Sequence, residues 1–264
     1  MRYFIHLGFE GTNYSGWQKQ NNTSNTIQEV IESALLKIFK TPITVYGCGR
    51  TDAGVHASQY ILHIDIENAF DFDLKYRLNK NLPSDIAVFD VKYPLENYHC
   101  RYDASSRTYD YFIHWNKDPS LIRYSTFWED SLLDYKKMQK AVRLLEETED
   151  FKALCKRPDQ YDHTICNVME AKLFIDQDNG RMRFTITANR FLRGMVRLCI
   201  FYLLKVGSHE ISIDEFERVL NFENNTFQNQ PAPPNGLFLT KVSYPFMDFK
   251  SSHFLIEKLK EGLQ

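Results

Sequence analysis

The sequence is poor in the features that assign function quickly. No GxxxxGK[ST] loop, no GxGxxG after a strand, no HExxH and no GxSxG pattern occurs in its 264 residues, so phosphate-loop, dinucleotide, zinc-protease and serine-hydrolase chemistry have no signature here. The five cysteines (Cys48, Cys100, Cys155, Cys166 and Cys199) are odd in number, scattered, and form no CxxC pair. That pattern excludes a disulfide framework and fits a reducing cytoplasm. Cys155, His163 and Cys166 match no standard zinc spacing and lack an evident fourth ligand, so no metal is expected. No stretch approaches the ~18–20 apolar residues of a membrane span, the nearest being Leu198 to Leu204. Met1-Arg2-Tyr3-Phe4 lacks the apolar run of a signal peptide, and a soluble, cytoplasmic protein is expected. Charge is balanced as well: 32 Lys and Arg stand against 34 Asp and Glu, for a formal net charge of −2. Nothing global therefore points to nucleic acid, and only a local cluster can.

What is present is core. Hydrophobic residues make up 43% of the chain and aromatics 14%, enough for one large domain or two closely packed small ones. Tyr3 to Glu10 reads as a strand, followed by the turn-rich segment Gly11 to Gln18. Ile27, Val30, Ile31, Ala34, Leu35 and Ile38 recur at helical spacing behind a cap at Ser24 or Asn25. Ile43 to Tyr46 is a short β-prone run, Gln59 to Ile66 alternates as a strand, Asp73 to Lys80 is a short helix, and Ile86 to Tyr93 closes the unit. The order is β-α-β-β-α-β, the ferredoxin-like split motif.

The second half repeats that order. Strands at Arg107–Trp115, Val168–Ile175, Met182–Ala188 and Leu237–Tyr244 alternate with helices at Leu132–Glu147, Arg190–Lys205 and Asp214–Asn221. Asp176 to Gly180 supplies an Asn-Gly hairpin turn. The expectation is an α+β protein of two ferredoxin-like halves, 1–105 and 106–245, with a mainly antiparallel sheet flanked by helices, and an appended helical tail at 246–264.

Two stretches carry chemistry. Gly47-Cys48-Gly49-Arg50-Thr51-Asp52-Ala53-Gly54-Val55-His56-Ala57-Ser58 sets one carboxylate among three glycines. If that segment is extended, Arg50 and Asp52 share a face and the guanidinium keeps the carboxylate ionised. The bland alternative is a simple Asx turn, and His56 reads as structural. The other stretch, Asn179 to His209, holds Arg181, Arg183, Arg190, Arg193, Arg197 and Lys205 and no acidic residue. It is either a phosphate-binding stripe or a solvated face. On one helix, Arg190, Arg193 and Arg197 would line up. Tyr109 and Tyr111, with Arg107 on the same strand face, are core residues or stacking platforms for unpaired bases.

Gly49-Arg50-Thr51-Asp52-Ala53-Gly54-Val55-His56-Ala57 resembles the signature of the tRNA pseudouridine synthase A family. Phe9 to Gln18 resembles the family's opening YDGxxYxGWQ, Tyr98 to Arg101 its FHAR, Arg107 to Tyr111 its RxYxY, Phe191 to Arg197 its FLxxMVR, and Ala232 to Leu239 its APPxGLxL. The resemblance implies a pseudouridine synthase fold and Asp52 as the catalytic aspartate. It implies Tyr109 against the target uracil, Arg197 paired with the aspartate, Leu237 near the base, and Arg50 toward the RNA backbone or the flipped nucleotide. The resemblance also implies uridine 38, 39 or 40 of the tRNA anticodon arm as the substrate, and Arg107, Arg190 and Arg193 read as tRNA-backbone contacts. A homodimer and no cofactor are implied too. The rivals are a non-catalytic RNA-binding protein on the same fold, which would not need Asp52, and a glycosidase, which would want two converging carboxylates.

Overall fold

Alternating apolar residues and two short amphipathic helices dominate the first hundred residues, and they pair much as their spacing predicts. The structure, a computed structural model, describes residues 1–67, 69–94, 96–129, 133–223, 230–250 and 254–263, the side chain of Phe254 excepted. Within these it is a mixed α+β protein with six α-helices and mainly antiparallel strand pairing. The chain forms two compact units, Met1–Ser105 with Phe238–His253 and Ser106–Leu237 with Phe254–Gln264.

The first unit contains β1 (Arg2–Phe9), α1 (Ile27–Phe39), β2 (Val45–Gly47), β3 (His56–Asp65), α2 (Leu74–Asn81) and β4 (Ile86–Lys92). β1 lies between β3 and β4, antiparallel to both. β2 pairs with β3 from Val45↔Ile64 to Gly47↔Leu62, and β9 (Leu237–Ser243) runs parallel to β3 at His56 and Ala57. α1 buries Ile27, Ile31, Ala34 and Leu35, one stripe of an amphipathic helix. Its N-cap is Thr26, not Ser24 or Asn25. Thr26 keeps an extended backbone and accepts the Glu29 N–H, satisfying an otherwise orphaned donor of the first turn.

The alternation expected along β3 gives way to burial on both faces from His56 through Ile64. The second cover is the return segment after β9. Gln59 accepts from Val242 N–H at 2.7 Å and donates to the Phe249 carbonyl at 3.1 Å. Phe4 meets Tyr244 and Phe246 edge-on, and His6 packs on Phe249. Residues 245–250 therefore form an irregular cover, and the expected tail helix is confined to α6 (Phe254–Lys260).

The second unit contains β5 (Ser106–His114), β6 (Thr126–Phe127), α3 (Tyr135–Glu147), β7 (Val168–Asp176), β8 (Arg181–Ala188), α4 (Met195–Gly207), α5 (Ile213–Leu220) and α6. β8 is antiparallel to β5 and β7, while β6 adds a short parallel pairing to the end of β5. α3 buries Met138, Ala141, Val142 and Leu145 as predicted and starts behind Asp134, which caps Lys137 N–H; the expected start at Leu132 lies outside the described residues. α4 begins five residues later than its sequence pattern suggested. Gly194, at φ +73°, sits immediately before it, a left-handed backbone that cannot continue a right-handed helix from Arg190.

The two faces of this sheet differ sharply. Tyr109, Tyr111 and Ile113 stand in register with Ile186, Phe184 and Met182 on one face. On the other, Asp110 is fully buried and is held by Lys260 at 2.8 Å, Thr185 at 2.5 Å and Arg183 at 3.4 Å. Arg183 also donates to the Leu263 carbonyl at 2.7 Å. The C-terminal helix is thus bound to the sheet through a buried ion network, in which each cation offsets the cost of burying the carboxylate.

Candidate functional site

The loop that carries Asp52 joins β2 to β3 and is held by the turn after β1. Trp17 N–H donates to the Thr51 carbonyl at 3.2 Å, and Gly54 N–H to the Tyr14 carbonyl at 3.3 Å. Gly16, at φ +94°, lies so close that a Cβ there would sit 2.6 Å from the Thr51 carbonyl oxygen and 3.2 Å from the Asp52 carbonyl carbon. Gly47 faces Tyr60 and the Trp17 indole, which stack at 4.0 Å, with equally little room. Tyr60 Oη completes the frame by donating to the Gly49 carbonyl at 2.5 Å. Asp52 is partly buried at the centre of this clamp. Its backbone is held on either side, at Thr51 and at Gly54.

Arg50 does not take the role that alternation offered it. The segment is not a strand, Arg50 is exposed, and its Nε donates to Gln18 Oε1 at 3.2 Å. Among the described residues no carboxylate lies within ion-pair distance of it. His56 is a framework residue: its Nδ1 accepts the Gly11 N–H at 3.0 Å and its ring stacks on Phe238 at 4.5 Å. The Glu10 carboxylate, 3.5 Å from the same nitrogen, finds its lone pair already engaged.

In the second unit, Tyr109 is nearly buried and meets Phe191 edge-on at 4.9 Å, an arrangement that fixes the phenol ring. Tyr111 is not available to a base. It is fully buried, its hydroxyl 2.8 Å from both Thr126 Oγ1 and the Pro233 carbonyl, and burial raises its phenol above the usual range. Arg197, in the first turn of α4, exchanges two hydrogen bonds with Ala232: its Nε donates to the Ala232 carbonyl at 2.6 Å, and its own carbonyl accepts Ala232 N–H at 3.0 Å. The stiff segment 231–236 is thereby tied to α4. At its far end a Cβ on Gly236 would lie 2.5 Å from the Phe112 carbonyl oxygen, so only glycine lets the chain pass β5 before Leu237, which is buried.

The acid-free stretch 179–209 breaks into two groups. Arg181 pairs with Asp176 at 3.0 Å, Arg183 with Asp110, and Lys205 with Glu210. These charges are spent internally. Arg190 and Arg193 lie before α4 and do not form the helical row expected with Arg197, because Gly194 turns the chain between them. Arg190 Nη1 is 3.1 Å from His163 Nε2, and Arg193 N–H donates to Tyr161 Oη at 3.0 Å. Arg107 donates to the Asn189 carbonyl at 2.9 Å, one residue from Arg190. Three of the expected backbone contacts, Arg107, Arg190 and Arg193, therefore cluster around segment 189–193. The basic pair Lys156-Arg157 lies beside this segment, with Lys156 N–H donating to the Arg193 carbonyl at 3.0 Å; in sequence a basic dipeptide outside any periodic element carries no signal.

Metal ligation has one geometric candidate among the described residues: His63, His99 and Cys100, whose ligand atoms lie within 4.8 Å of one another. The donor set fits a cation poorly. His63 Nδ1 faces Cys100 N–H at 3.3 Å and His99 Nδ1 accepts Arg101 N–H at 3.0 Å, so the proton of each neutral ring sits on Nε2. Burial, followed by the Arg2 charge, holds both imidazoles below their usual range, His63 at about 4. A neighbouring guanidinium that repels imidazolium repels a metal ion as well. Cys155 and Cys166 are raised by burial, the latter to about 11, and are inert buried thiols.

A family model described as tRNA pseudouridine synthase matches residues 7–103 and 141–245. The tRNA pseudouridine synthase A of Bacteroides thetaiotaomicron is 38% identical over 268 aligned positions, covering 99% of this chain and 98% of that protein. Its namesake from Bacteroides fragilis is 39% identical, covering 92% and 96%, and that of Streptococcus pneumoniae is 31% identical, covering 92% and 98%.

Proposed function

The chain belongs to the tRNA pseudouridine synthase family and is an isomerase of uridine in tRNA; we propose that it acts at positions 38, 39 and 40 of the anticodon stem-loop, with Asp52 as its catalytic residue. The observation that carries this proposal is the clamp on the Asp52 loop. Two separated segments that the family resemblance singles out, 9–18 and 49–57, are knitted by hydrogen bonds around one partly buried carboxylate. A chain that merely held RNA would have no use for so rigid a presentation of an anionic group.

The chemistry asks for little else. The N1–C1′ glycosidic bond breaks, the uracil turns, C5 bonds to C1′, and the C5 proton is lost as N1 gains one, so atoms balance without a co-reactant. A stacked stem nucleotide must first leave the helix, at a cost of a few kcal/mol. Arg107, Arg190 and Arg193 offset that cost on phosphates, and Tyr109 holds the detached base by its ring face. Arg50 lies toward the RNA, Leu237 lines the base, and Arg197 is the cation that supports Asp52. Asp52 acts either as a nucleophile or as a base toward a sugar proton. The finer reading of the fold is a pair of ferredoxin-like halves, 1–105 and 106–245, followed by the tail 246–264. The sheet orders β4-β1-β3-β2 and β5-β8-β7 support those halves. The working assembly is a homodimer in the cytoplasm.

Mapping pseudouridine in bulk tRNA, with and without the protein, tests the positions: new pseudouridine at 38–40 is expected, and its appearance only elsewhere overturns them. Asp52→Asn should bind tRNA as the parent does and lose pseudouridine formation by at least about 10³-fold, within the range lost with a catalytic acid or base. An active Asp52→Asn protein would sink the assignment.

A further inference from the structure

The turn that clamps the Asp52 loop has a support of its own, and the first unit supplies it from a third segment. β1 and β4 pair antiparallel as far as Phe9↔Ile86, and one step further Glu10 N–H donates to the Asp85 carbonyl at 2.9 Å. Asp85 therefore stands where that ladder ends, in the loop between α2 and β4, level with the entry to the turn. Its half-buried side chain makes a second contact. The Tyr14 phenol, only 7% exposed, donates to Asp85 Oδ1 at 2.6 Å, within the short range of charge-assisted bonds. Burial and then this carboxylate push the Tyr14 phenol above its usual range, so it stays protonated and remains a donor. From Tyr14 the connection passes to the Asp52 loop through the backbone. The Tyr14 carbonyl accepts Gly54 N–H at 3.3 Å, and Val55 N–H closes a turn on the Asp52 carbonyl at 3.2 Å. Gly54 holds φ +77°, a left-handed conformation that glycine takes without strain.

Burial alone does not call for a tyrosine at position 14, since phenylalanine would bury the same ring. What the hydroxyl adds is direction: it ties the turn to a fixed point at the end of the β1–β4 ladder, 71 residues away in sequence. Resting on the reading of Asp52 given above, we propose that Asp85 and Tyr14 are positioning residues for the isomerisation. The carboxylate fixes the phenol, the phenol fixes the turn, and the turn sets where the Asp52 backbone stands when the uridine binds. Neither side chain touches the substrate. Such a relay matters to rate because a displacement of about 1 Å at a reacting group costs up to about 10²-fold, even when its cause lies far from the chemistry.

Pseudouridine formation in a tRNA transcript, with kcat and KM measured separately, tests this. Tyr14→Phe, which deletes one oxygen and keeps the buried ring, and Asp85→Ala should each lower kcat about tenfold while KM stays within about twofold of the parent. The double variant should also lose only about tenfold, not about a hundredfold, because either change breaks the same bond and directly coupled residues are not additive. Asp85→Asn, whose amide can meet a hydroxyl with either end, should recover most of the turnover lost in Asp85→Ala. Each rate is referred to the fraction folded at the assay temperature, read by circular dichroism, so that unfolding is not counted as lost positioning. An unchanged kcat in Tyr14→Phe, or fully additive losses in the double variant, overturns the relay while an inactive Asp52→Asn leaves the reading of Asp52 standing. An active Asp52→Asn overturns that reading and the relay with it.

Discussion

The Asp52 loop and the basic stretch after β8 were the two conspicuous features of the sequence, and they behave in opposite ways when folded. The loop loses the expected Arg50–Asp52 pairing but keeps its compactness. Glycines, turn and carboxylate stay together because nine residues of tight backbone leave nothing else to do, and the clamp from Tyr14, Gly16 and Trp17 only fixes them. The basic stretch loses its unity. Of its six cations, Arg181, Arg183 and Lys205 are each matched to an acid, Arg190 and Arg193 precede the helix, and Arg197 alone of the expected row is on α4. Charge counted along a sequence therefore overstates charge available to a ligand, because a strand sends alternate residues to opposite faces and the fold can bring an acid to either.

Substitutions can break or sharpen this contrast. The largest effect is expected at Arg197→Ala, which should lower kcat by about 10²–10³ if Arg197 is, as proposed, the cation that supports Asp52. Its melting temperature should move by only a few degrees, and a matching loss of stability and activity would make it structural. Gly16→Ala comes next. A side chain at φ +94° pressed against the Thr51 carbonyl should cost about 2–4 kcal/mol in denaturant unfolding, and a neutral result would show that the loop is not clamped. Arg183→Gln and Arg193→Gln separate spent from available charge. The first should cost about 3 kcal/mol of stability, as breaking a buried ion network does, without altering the salt slope of tRNA binding. The second should lower the slope by about 0.7–0.9 and leave stability alone.

The smallest effect is a pH dependence. His63, held at about 4 by burial and by Arg2, stays neutral in the folded protein while the unfolded chain takes up a proton below about pH 6.5. Protons thus favour unfolding, and this group's contribution is lost as pH falls from about 6.5 to 4. Melting temperatures should decline over that window, and His63→Gln should flatten the decline; an unchanged profile would assign the acid sensitivity elsewhere.

Much of the fold was legible. α1 and α3 bury the residues their 3.6-residue periods nominate, and the Asn-Gly turn joins β7 to β8 as expected, with Gly180 at φ +65°. Where the reading failed, a neighbour distant in sequence had intervened. β3 looked half-exposed because its second cover, 244–249, lies nearly two hundred residues away. The helix predicted from Arg190 was cut short by the backbone of one glycine, which composition cannot distinguish from a tolerated one. Tyr111 looked as suited to stacking as Tyr109 until its hydroxyl met Pro233.

By itself the sequence determined the elements, the Asp52 loop and the family, since these rest on local backbone preference and on the order of residues along the chain. The tertiary structure alone decided which of these cations are paired with an acid, which tyrosine is core, and how the Asp52 backbone is held. Those outcomes depend on pairwise distances between groups far apart in the chain, and desolvation and ion pairing act on distance in space, not on position in sequence.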